Sequence, residues 1–487
     1  MITFIISIGV LIAGYFTYGK FVENVFDINK DRVTPALRLR DDVDFTPLPA
    51  WRIFLIQFLN IAGLGPIFGA ISGAMFGPSA FLWIVLGSIF AGAVHDYFSG
   101  MLSLRHNGLS ISEVVGIYLG SSAKQFMRLF TIVLLIFVGT VFLMGPAKII
   151  DGMTGHSYGV WIWVFVILIY YLLSTLLPID KLISKLYPVF GIAMLIMAVG
   201  LLAALFFGKY HIPELIPANI RNMTSNPDST PLFPILFVTI ACGAISGFHA
   251  TQSPLMARCM KTELLGRKIF YGAMITEGIV ALIWAAAAMA FFGGVESLNH
   301  AMLSNGNNAA WAANEISLKM LGGVGGVLAI LGIVAAPITS GDTAFRSARL
   351  IIADIFKFDQ TNIFKRIYVS LPLFIIAFLL TQIDFGIIWR YFAWSNQALA
   401  TIVLWTITAY LVGEDKPYWV SLVPAVFMTM VSSTYILIAP EGFQLDNQWS
   451  YMGGTISTIL VFIGFWRSYI FKNKNEVKSL KLKGPGL

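Results

Sequence analysis

The amino-acid sequence predicts an all-α polytopic membrane protein with about thirteen transmembrane helices. Hydrophobic residues make up 57% of the chain and charged residues only 12%, whereas soluble domains carry about 25% charged residues. Apolar runs long enough to cross a bilayer, roughly 20 residues each, recur along nearly all of the 487 residues. Lysine and arginine concentrate in every second loop. Together these observations indicate that the body of the protein lies in a membrane.

Polar loops divide the chain into thirteen apolar segments. Segments 160–177 and 184–207 are uninterrupted, as is typical of plain membrane helices. Residues 309–318 fit a short interfacial helix or a plain loop equally well. The first segment lacks a basic n-region and a cleavage site, so we interpret it as a true span. The predicted spans are 3–19, 51–74, 79–103, 127–150, 160–177, 184–207, 233–257, 268–292, 320–345, 367–383, 387–411, 418–438 and 453–470.

The loop charges predict how the chain is threaded. If the loops alternate between two sides, 27 of the 32 lysines and arginines fall on one side and 4 on the other, while Arg390 lies within a span. The basic side is expected to face the cytoplasm, which places the N-terminus outside a bacterial inner membrane and the C-terminus inside. The net charge of +7 therefore indicates topology, not nucleic-acid binding. The basic tail at 472–483 is expected to be solvated or to touch anionic lipids.

Two spans contain residues that interrupt helices. The stretches 60–69 in the second span and 241–254 in the seventh are rich in glycine and proline, which weaken or break a helix. Exposed backbone at this depth is tolerated only inside protein or along a wet cavity. The alternative is close helix packing through small residues, from Gly65 to Gly69 and from Gly243 to Gly247.

The two interrupted spans are five spans apart, so they enter the membrane from opposite faces. This pattern predicts an inverted repeat with the substrate site between the broken helices, near the midplane. The predicted divisions are 1–50 for an N-terminal helix and loop, 51–207 and 208–412 for the two repeats, and 413–487 for two further helices and the tail. The candidate substrate-binding residues are Gly63, Gly65, Pro66, Gly243, Ser246, Gly247, His249, Thr251, Gln252 and Ser253.

The second half of the seventh span is the predicted solute contact. A half-helix beginning near Thr251 would present free amides and the positive end of its dipole, which suit a carboxylate. Thr251, Gln252 and Ser253 add uncharged polar groups, so an anionic or zwitterionic solute is expected. His249 could bond a carbonyl, contact the solute or handle a proton.

Other ionisable residues within spans are candidates for gating or structural roles, because burying charge in a membrane is costly. His95 and Asp96 are neighbours, so on a helix they should point about 100° apart and not face each other. They are expected close to the cytoplasmic end, with a structural or gating role as well founded as one in transport. Glu277 needs a partner that the sequence does not identify, and Arg390 completes the group.

The ninth span is predicted to end in a run of hydroxyls with one carboxylate. Thr339, Ser340, Asp342 and Thr343 supply oxygen atoms that suit Na⁺, and Asp342 could equally carry a proton. The alternative is a helix-end cap, since these residue types favour such positions.

Four stretches resemble the carbon starvation protein A (CstA) family, and the resemblance runs from about residue 42 to 411. They are AGAVHDYFSGMLSLRHNGLSISEVVG (91–116), CGAISGFHATQSPLMARC (242–259), TSGDTAFRSARL (339–350) and WRYFAWSNQALATIVL (389–404). The resemblance implies a transporter of peptides or, as in some relatives, of pyruvate, acting in carbon starvation. It differs from long members in its compact length and in Gln57 and Asn60, where histidine is expected.

The same resemblance implies the LeuT-type fold of five plus five helices. In that fold the first and sixth core helices, here 51–74 and 233–257, are broken, and the eighth, here 320–345, supplies hydroxyls to a cation. Candidate ion ligands are then Thr339, Ser340 and Thr343, together with carbonyls near Ala62 and Gly63.

The sequence thus predicts a secondary transporter that imports a small carboxylate-bearing solute with H⁺ or Na⁺ and needs no other cofactor. A membrane metalloenzyme is a rival, but there is no HExxH motif and no paired CxxC. Cys242, His249 and Cys259 suit zinc poorly, because Cys259 lies roughly 15 Å of helix rise beyond His249. A channel or a solute sensor is the other rival.

Overall fold

A computed structural model describes residues 1–41, 44–176, 183–208, 210–358 and 363–471. The predicted basic tail at 472–483 lies outside the described residues, as do Lys181 and Lys209. The regular structure of the described residues is helical. The α-helices are α1 (Ile2–Phe16), α2 (Tyr18–Phe26), α3 (Pro35–Arg38), α4 (Ala50–Ala62), α5 (Ala70–Ala74), α6 (Ser79–Gly87), α7 (Ala93–Arg105), α8 (Ile111–Leu119), α9 (Ser121–Met153), α10 (Val160–Leu176), α11 (Ile183–Phe207), α12 (Leu232–Thr239), α13 (Gly247–Ala257), α14 (Gly272–Phe291), α15 (Val295–Ser304), α16 (Ala309–Leu328), α17 (Ala335–Phe356), α18 (Ile363–Leu380), α19 (Phe385–Gly413), α20 (Trp419–Ile438) and α21 (Asn447–Phe465).

The all-helical membrane architecture is confirmed. Among the described residues, 9 helices are long and apolar enough to cross a bilayer, or up to 11 when each of two bent pairs counts as one span. The two further predicted spans correspond to the short apolar helix α10 and to α12 with α13, which an interruption separates. Thirteen crossings, and the division into repeats at 51–207 and 208–412, stay predictions.

The first predicted interruption is present in the second span. Helix α4 ends at Ala62, and Gly63 then adopts a φ of 37°, a conformation that favours glycine. A π-helical turn, Gly65–Gly69, follows and leads into α5, with a bend of 52° between the two parts. Pro66 is tolerated because it lies in the first turn, where its missing N–H costs no hydrogen bond.

The second interruption is also present, but its second half-helix begins earlier than predicted. Helix α12 ends at Thr239, and α13 begins at Gly247 after an extended Ser246. The expected start near Thr251 was therefore wrong, and Thr251 lies a full turn inside the helix. The reason is a cap from another helix: the Asn396 side-chain oxygen accepts from the Phe248 amide (2.6 Å) and the Ser246 hydroxyl (3.0 Å).

The two interruptions pack directly against each other through glycine. A Cβ atom on Gly65 would collide with the side chain of Cys242, and one on Gly69 would lie 2.9 Å from the Thr239 carbonyl oxygen. The sequence left two explanations for the glycines in these spans, an interrupted backbone or close helix packing. The structure contains both. Because glycine lets the backbones approach, the first interruption lies beside the second.

The ninth span differs most from its prediction. Residues 309–318 are helical and not a loop; they form the first part of α16, and this part ends where Gly322 adopts non-helical dihedral angles (φ 62°, ψ −148°). An interfacial position for this helix stays a prediction. A π-helical turn, Ala329–Val334, follows, and α17 continues to Phe356, with a bend of 65° between the two parts. The hydroxyl-rich run at 336–343 therefore lies within the first turns of a 22-residue helix, not at the end of a span. A helix-end cap is excluded, because Thr339 and Thr343 hydroxyls donate to carbonyls of their own helix.

Loops that the threading assigns to one side contact each other. On the lysine-rich side, Arg105 pairs with Glu263, and the Arg258 side chain donates to the Gly108 carbonyl. On the other side, the Asn299 amide donates to the Met75 carbonyl. These contacts follow the predicted alternation of loops. Which side faces the cytoplasm stays a prediction.

Candidate functional site

Asp96 joins two histidines at the centre of the protein. Its carboxylate oxygens lie 2.8 Å from His95 Nδ1 and 2.9 Å from His249 Nδ1. The expectation that His95 and Asp96 do not face each other was wrong. Their Cβ atoms diverge, but the His95 imidazole turns towards the Asp96 carboxylate. The other oxygen of that carboxylate contacts His249.

The position predicted for this pair was wrong as well. His95 and Asp96 are fully buried, so they do not snorkel to a membrane surface. Asp96 lies about two and a half turns before the end of α7 at Arg105. The pair therefore belongs to the interior of the helix bundle.

A fourth ionisable side chain extends the chain of contacts. His249 Nε2 lies 3.4 Å from Glu277 Oε2 on α14, which gives Glu277 the partner that the sequence did not identify. All four side chains have 0% exposure. If Asp96 is ionised, both Nδ1 atoms must carry protons, because a carboxylate only accepts hydrogen bonds. The Nε2 atom of His249 is then the position where a proton can arrive or leave, facing Glu277.

Side chains from two distant spans cover the backbone of the second interruption. Trp83 Nε1 donates to the Ile240 carbonyl (3.1 Å), Ser88 Oγ to the Gly243 carbonyl (3.1 Å) and Gln397 Nε2 to the Ile245 carbonyl (3.2 Å). Sequence reasoning gave none of these residues a role. The polar run at 395–397 within an apolar span was the available signal for Asn396 and Gln397. Several backbone groups predicted to meet the solute are therefore occupied by protein groups.

The polar side chains of α13 are buried and mostly bond within their own helix. The Thr251 hydroxyl donates to the Phe248 carbonyl (2.7 Å) and the Ser253 hydroxyl to the His249 carbonyl (3.0 Å). Gln252 donates to the Thr251 hydroxyl, while its Oε1 atom has no hydrogen-bond partner in the described part of the chain. Roles in solute binding stay predictions for these residues and for the glycines beside them.

Two buried amides on α4 are a further feature of the site. Gln57 and Asn60 are fully buried, and none of their four polar side-chain atoms has a partner among the described residues. Helix α4 packs against α13, α14 and α17. Buried polar groups are normally hydrogen-bonded, so these amides mark the first broken helix as a place where a polar ligand or water can be received.

The predicted ion ligands do not form one cluster. Ser340 Oγ donates to the Leu59 carbonyl (3.0 Å), one turn before the predicted carbonyls near Ala62 and Gly63. Asp342 lies two residues further, on another side of α17, and accepts from Ser174 Oγ (2.6 Å) and Tyr187 Oη (2.7 Å). Ser174 and Tyr187 lie on the two helices whose sequences appeared plain.

Arg390 is not an intramembrane charge of the site. Its Nε atom pairs with Glu441 at 3.1 Å, and its side chain is 42% exposed. It lies near the beginning of α19, next to the loop after α20. Its predicted place well inside a span was wrong, because the helix begins only five residues earlier, at Phe385, while a gating or structural role stays a prediction.

Besides an apolar cavity of about 590 Å³ between α6, α12 and α20, the described residues form two cavities on opposite sides of the broken helices. The larger of these two, about 280 Å³ and here named the vestibule, is on the lysine-poor side. The smaller one, about 20 Å³, lies between α13, α17 and the start of α8. The vestibule is lined by Phe68, Ser72, Gly145, Lys148, Asn305, Gly306, Asn307, Asn308, Ala309, Ala310, Asp384, Phe385, Gly386 and Trp389.

Aromatic rings separate the vestibule from the second interruption. Phe68 and Trp389 have ring centroids 5.9 Å apart, and Trp389 lies 5.5 Å from Phe392. Phe142 then contacts Phe392 at 6.1 Å and Phe248, in the first turn of α13, at 6.0 Å. The described conformation is thus closed between the vestibule and the buried chain of ionisable residues.

The thiols do not support the zinc alternative. Cys242 and Cys259 are both buried and free, and Cys242 contacts Ser246 and Asn396 beside the interruption. In the described part of the chain, no group of three or more His, Cys, Asp and Glu side chains is arranged to hold a metal ion.

Comparison with known proteins identifies relatives. The carbon starvation protein CstA family matches residues 1–154 and 153–324. An uncharacterized membrane protein of Haemophilus influenzae is 42% identical over 62% of this chain and 94% of its own. The peptide transporter CstA of Campylobacter jejuni is 26% identical over 92% of this chain and 82% of its own. The pyruvate/proton symporter BtsT of Escherichia coli is 28% identical over 58% of this chain and 48% of its own.

Solved structures give the same picture at the level of the fold. The manganese transporter of Eremococcus coleocola superimposes with a TM-score of 0.53 at 13% identity, covering 90% of this chain and 99% of the other. The family and the named relatives support the expectation of a carrier for a small solute rather than an enzyme. The chain is a membrane transporter that belongs to the carbon starvation protein CstA family.

Proposed function

We propose that the protein is a proton-coupled secondary transporter that imports a small carboxylate-bearing solute, a peptide or pyruvate, across the bacterial inner membrane during carbon starvation. The supporting observation is the buried chain His95–Asp96–His249–Glu277, which reaches the second broken helix. Ionisable residues buried in a membrane are rare and serve proton or ion pathways. The N-terminus lies outside and the C-terminus in the cytoplasm, following the lysine and arginine bias.

A proton fits the buried chain of four ionisable residues better than Na⁺ does. Asp96 is engaged by two imidazole nitrogens, and histidine is the side chain that exchanges protons near neutral pH. The oxygen ligands predicted for Na⁺ are divided, since Ser340 contacts α4 while Asp342 contacts α10 and α11. When a proton reaches Asp96, both charge-assisted hydrogen bonds weaken and α13 can move relative to α7.

The solute class follows from two supports. The relatives named above are a peptide transporter and a pyruvate/proton symporter, and both kinds of solute carry a carboxylate. In this chain Lys148 lines the vestibule on the predicted outer side, where an anion would first enter. The free energy released as protons move inward would drive the import of an anionic solute against the membrane potential.

The test is Asp96→Asn in proteoliposomes, which keeps the shape of the side chain and removes its charge. Uptake of a dipeptide or pyruvate driven by an inward proton gradient should fall at least about 100-fold, the scale of a lost proton-transfer group. Counterflow, which needs no net proton movement, should persist. Asp151→Asn is the matched control, because Asp151 is also a buried aspartate but pairs at 2.7 Å with the exposed His156 near the end of α9, apart from the buried chain.

Two results would contradict the proposal. Full gradient-driven accumulation by Asp96→Asn would remove the buried chain from coupling. Uptake that requires Na⁺ and ceases in choline at fixed pH would replace H⁺ with Na⁺.

A further inference from the structure

The vestibule carries opposite charges on two of its walls. Lys148 projects from α9, and Asp384 lies directly before α19. The Asp384 carboxylate acts electrostatically on the Lys148 ammonium, but no ion pair joins the two within the described residues. We infer that this vestibule is an outer binding subsite for a zwitterion of dipeptide size, with the solute carboxylate on Lys148 and its ammonium on Asp384.

Lys148 is available to an anion. Besides the longer-range influence of Asp384, Lys148 contacts the Phe385 ring in the described structure, with Nζ 4.8 Å from the ring centroid. A contact with a ring face leaves ammonium N–H groups free to donate. A charged side chain near the end of a membrane helix, without a carboxylate partner in the structure described here, is a strong place for an anionic group to bind.

Asp384 is available to a cation. Its Oδ1 atom caps α19 by accepting from the amides of Gly386 (2.9 Å) and Ile387 (3.3 Å). These bonds fix the carboxylate in place and leave Oδ2 free to accept. The exposed amide of Asn307, which also lines the vestibule, offers donors and an acceptor suited to a peptide group.

The size and position of the vestibule fit a first stop on the transport path. Its volume of about 280 Å³ is near the lower end for small-molecule sites, roughly 300 Å³. Its floor includes Phe68, which belongs to the π-helical turn after the first interruption. A solute held here would therefore rest on the broken helix before the aromatic layer opens.

The two charges separate the two solute classes of the proposed function, on which this inference rests. A monocarboxylate such as pyruvate can use Lys148 but has nothing to offer Asp384. A zwitterion uses both. Binding of a dipeptide should therefore depend on both Lys148 and Asp384, whereas binding of pyruvate should depend on Lys148 alone. Which of the two substitutions lowers the affinity then reveals the class of solute.

The experiment measures binding of dialanine, N-acetyl-dialanine and pyruvate to the purified full chain by calorimetry and thermal shift. Dialanine should bind the wild type, and its affinity should fall at least about tenfold in Lys148→Met and in Asp384→Asn, the scale of one hydrogen bond to a charged group. Asp384→Asn keeps the oxygen that caps α19, and Lys148→Arg should retain binding. N-acetyl-dialanine, which lacks the ammonium, should bind Asp384→Asn and the wild type equally.

Lys319→Met is the matched control, because Lys319 is exposed on the same predicted side and pairs with Glu315. It should leave the affinity unchanged. The inference is overturned if dialanine does not bind the wild type, if it binds both variants normally, or if only pyruvate binds and only Lys148→Met loses it. Asp96→Asn should still bind dialanine, so a failure of proton coupling and a failure of this subsite give different results.

Discussion

At the scale of single residues, the sequence indicated which side chains matter but not how they meet. Asp96, His249 and Glu277 each stood out as ionisable residues in apolar spans. No local pattern pairs them, because Asp96 and His249 are 153 positions apart and lie on different helices. Asn396 and Gln397 were overlooked because amides in a span can serve packing as readily as function, and only the fold brings them to the second interruption.

Glu277→Gln is the residue-scale prediction. The substitution keeps the shape of the group 3.4 Å from His249 Nε2 but removes its ability to take a proton. Proton-driven uptake should fall about 10- to 100-fold, less than in Asp96→Asn, because Asp96 still holds both histidines. Initial rates across an imposed pH gradient measure the effect.

Glu315→Gln serves as the comparison, since Glu315 pairs with Lys319 on an exposed helix face. Uptake by Glu277→Gln at the wild-type rate, with unchanged pH dependence, would exclude Glu277 from the proton path.

At the scale of helices, both interruptions were predictable because glycine and proline are dense where each occurs. The start of α13 was not, because its cap comes from α19, far along the chain. The ninth span was misjudged for a different reason. The glycines at 322–326 and Pro337 flank its π-helical turn, Ala329–Val334, and were an available signal for the break. The hydroxyl-rich sequence that follows resembles a helix end but forms a helix interior.

Gly65→Ala is the prediction for the paired interruptions. The new methyl group would collide with Cys242, and overpacking of this kind costs about 1–3 kcal/mol. The apparent melting temperature and uptake should both fall. Combining it with Cys242→Gly should restore part of the loss, because the opposing Cβ is removed.

The control is Gly152→Ala, where an added methyl meets nothing within 4 Å. A Gly65→Ala protein as stable as this control would mean that the two interruptions do not need their close contact.

At the scale of the whole molecule, the alternation of basic and neutral loops predicted which loops share a side, and the contacts follow it. The contacts that close the lysine-rich side of the protein were not predictable, because the residues that make them come from three separate loops. Glu263 is fully buried there and accepts from Arg32 (3.1 Å), Arg105 (3.1 Å) and the Asn29 amide (2.8 Å). Arg105 also lies over the Phe26 ring at 3.9 Å.

Glu263→Gln should loosen this closure. The amide keeps the shape but cannot neutralise two arginines, and weakening a buried ion pair is strongly unfavourable. Ser347 lines the small cavity on this side. In a Cys242→Ala, Cys259→Ala background, Ser347→Cys should react several-fold faster with an impermeant thiol reagent when Glu263→Gln is added.

The reagent should reach Ser347→Cys in inside-out vesicles only. Labelling in right-side-out vesicles would reverse the proposed orientation. Glu113→Gln, which alters an ion pair with Arg128 on the same side, should leave the rate unchanged.

The carboxylate held between α7 and α13 acts as a tether as well as a charge. Under the proposed proton coupling, protonation of Asp96 would weaken both of its hydrogen bonds and release α13 from α7 in one step. While no proton is bound, the ionised carboxylate would keep α13 held against α7, and the proposal therefore predicts little uncoupled leakage.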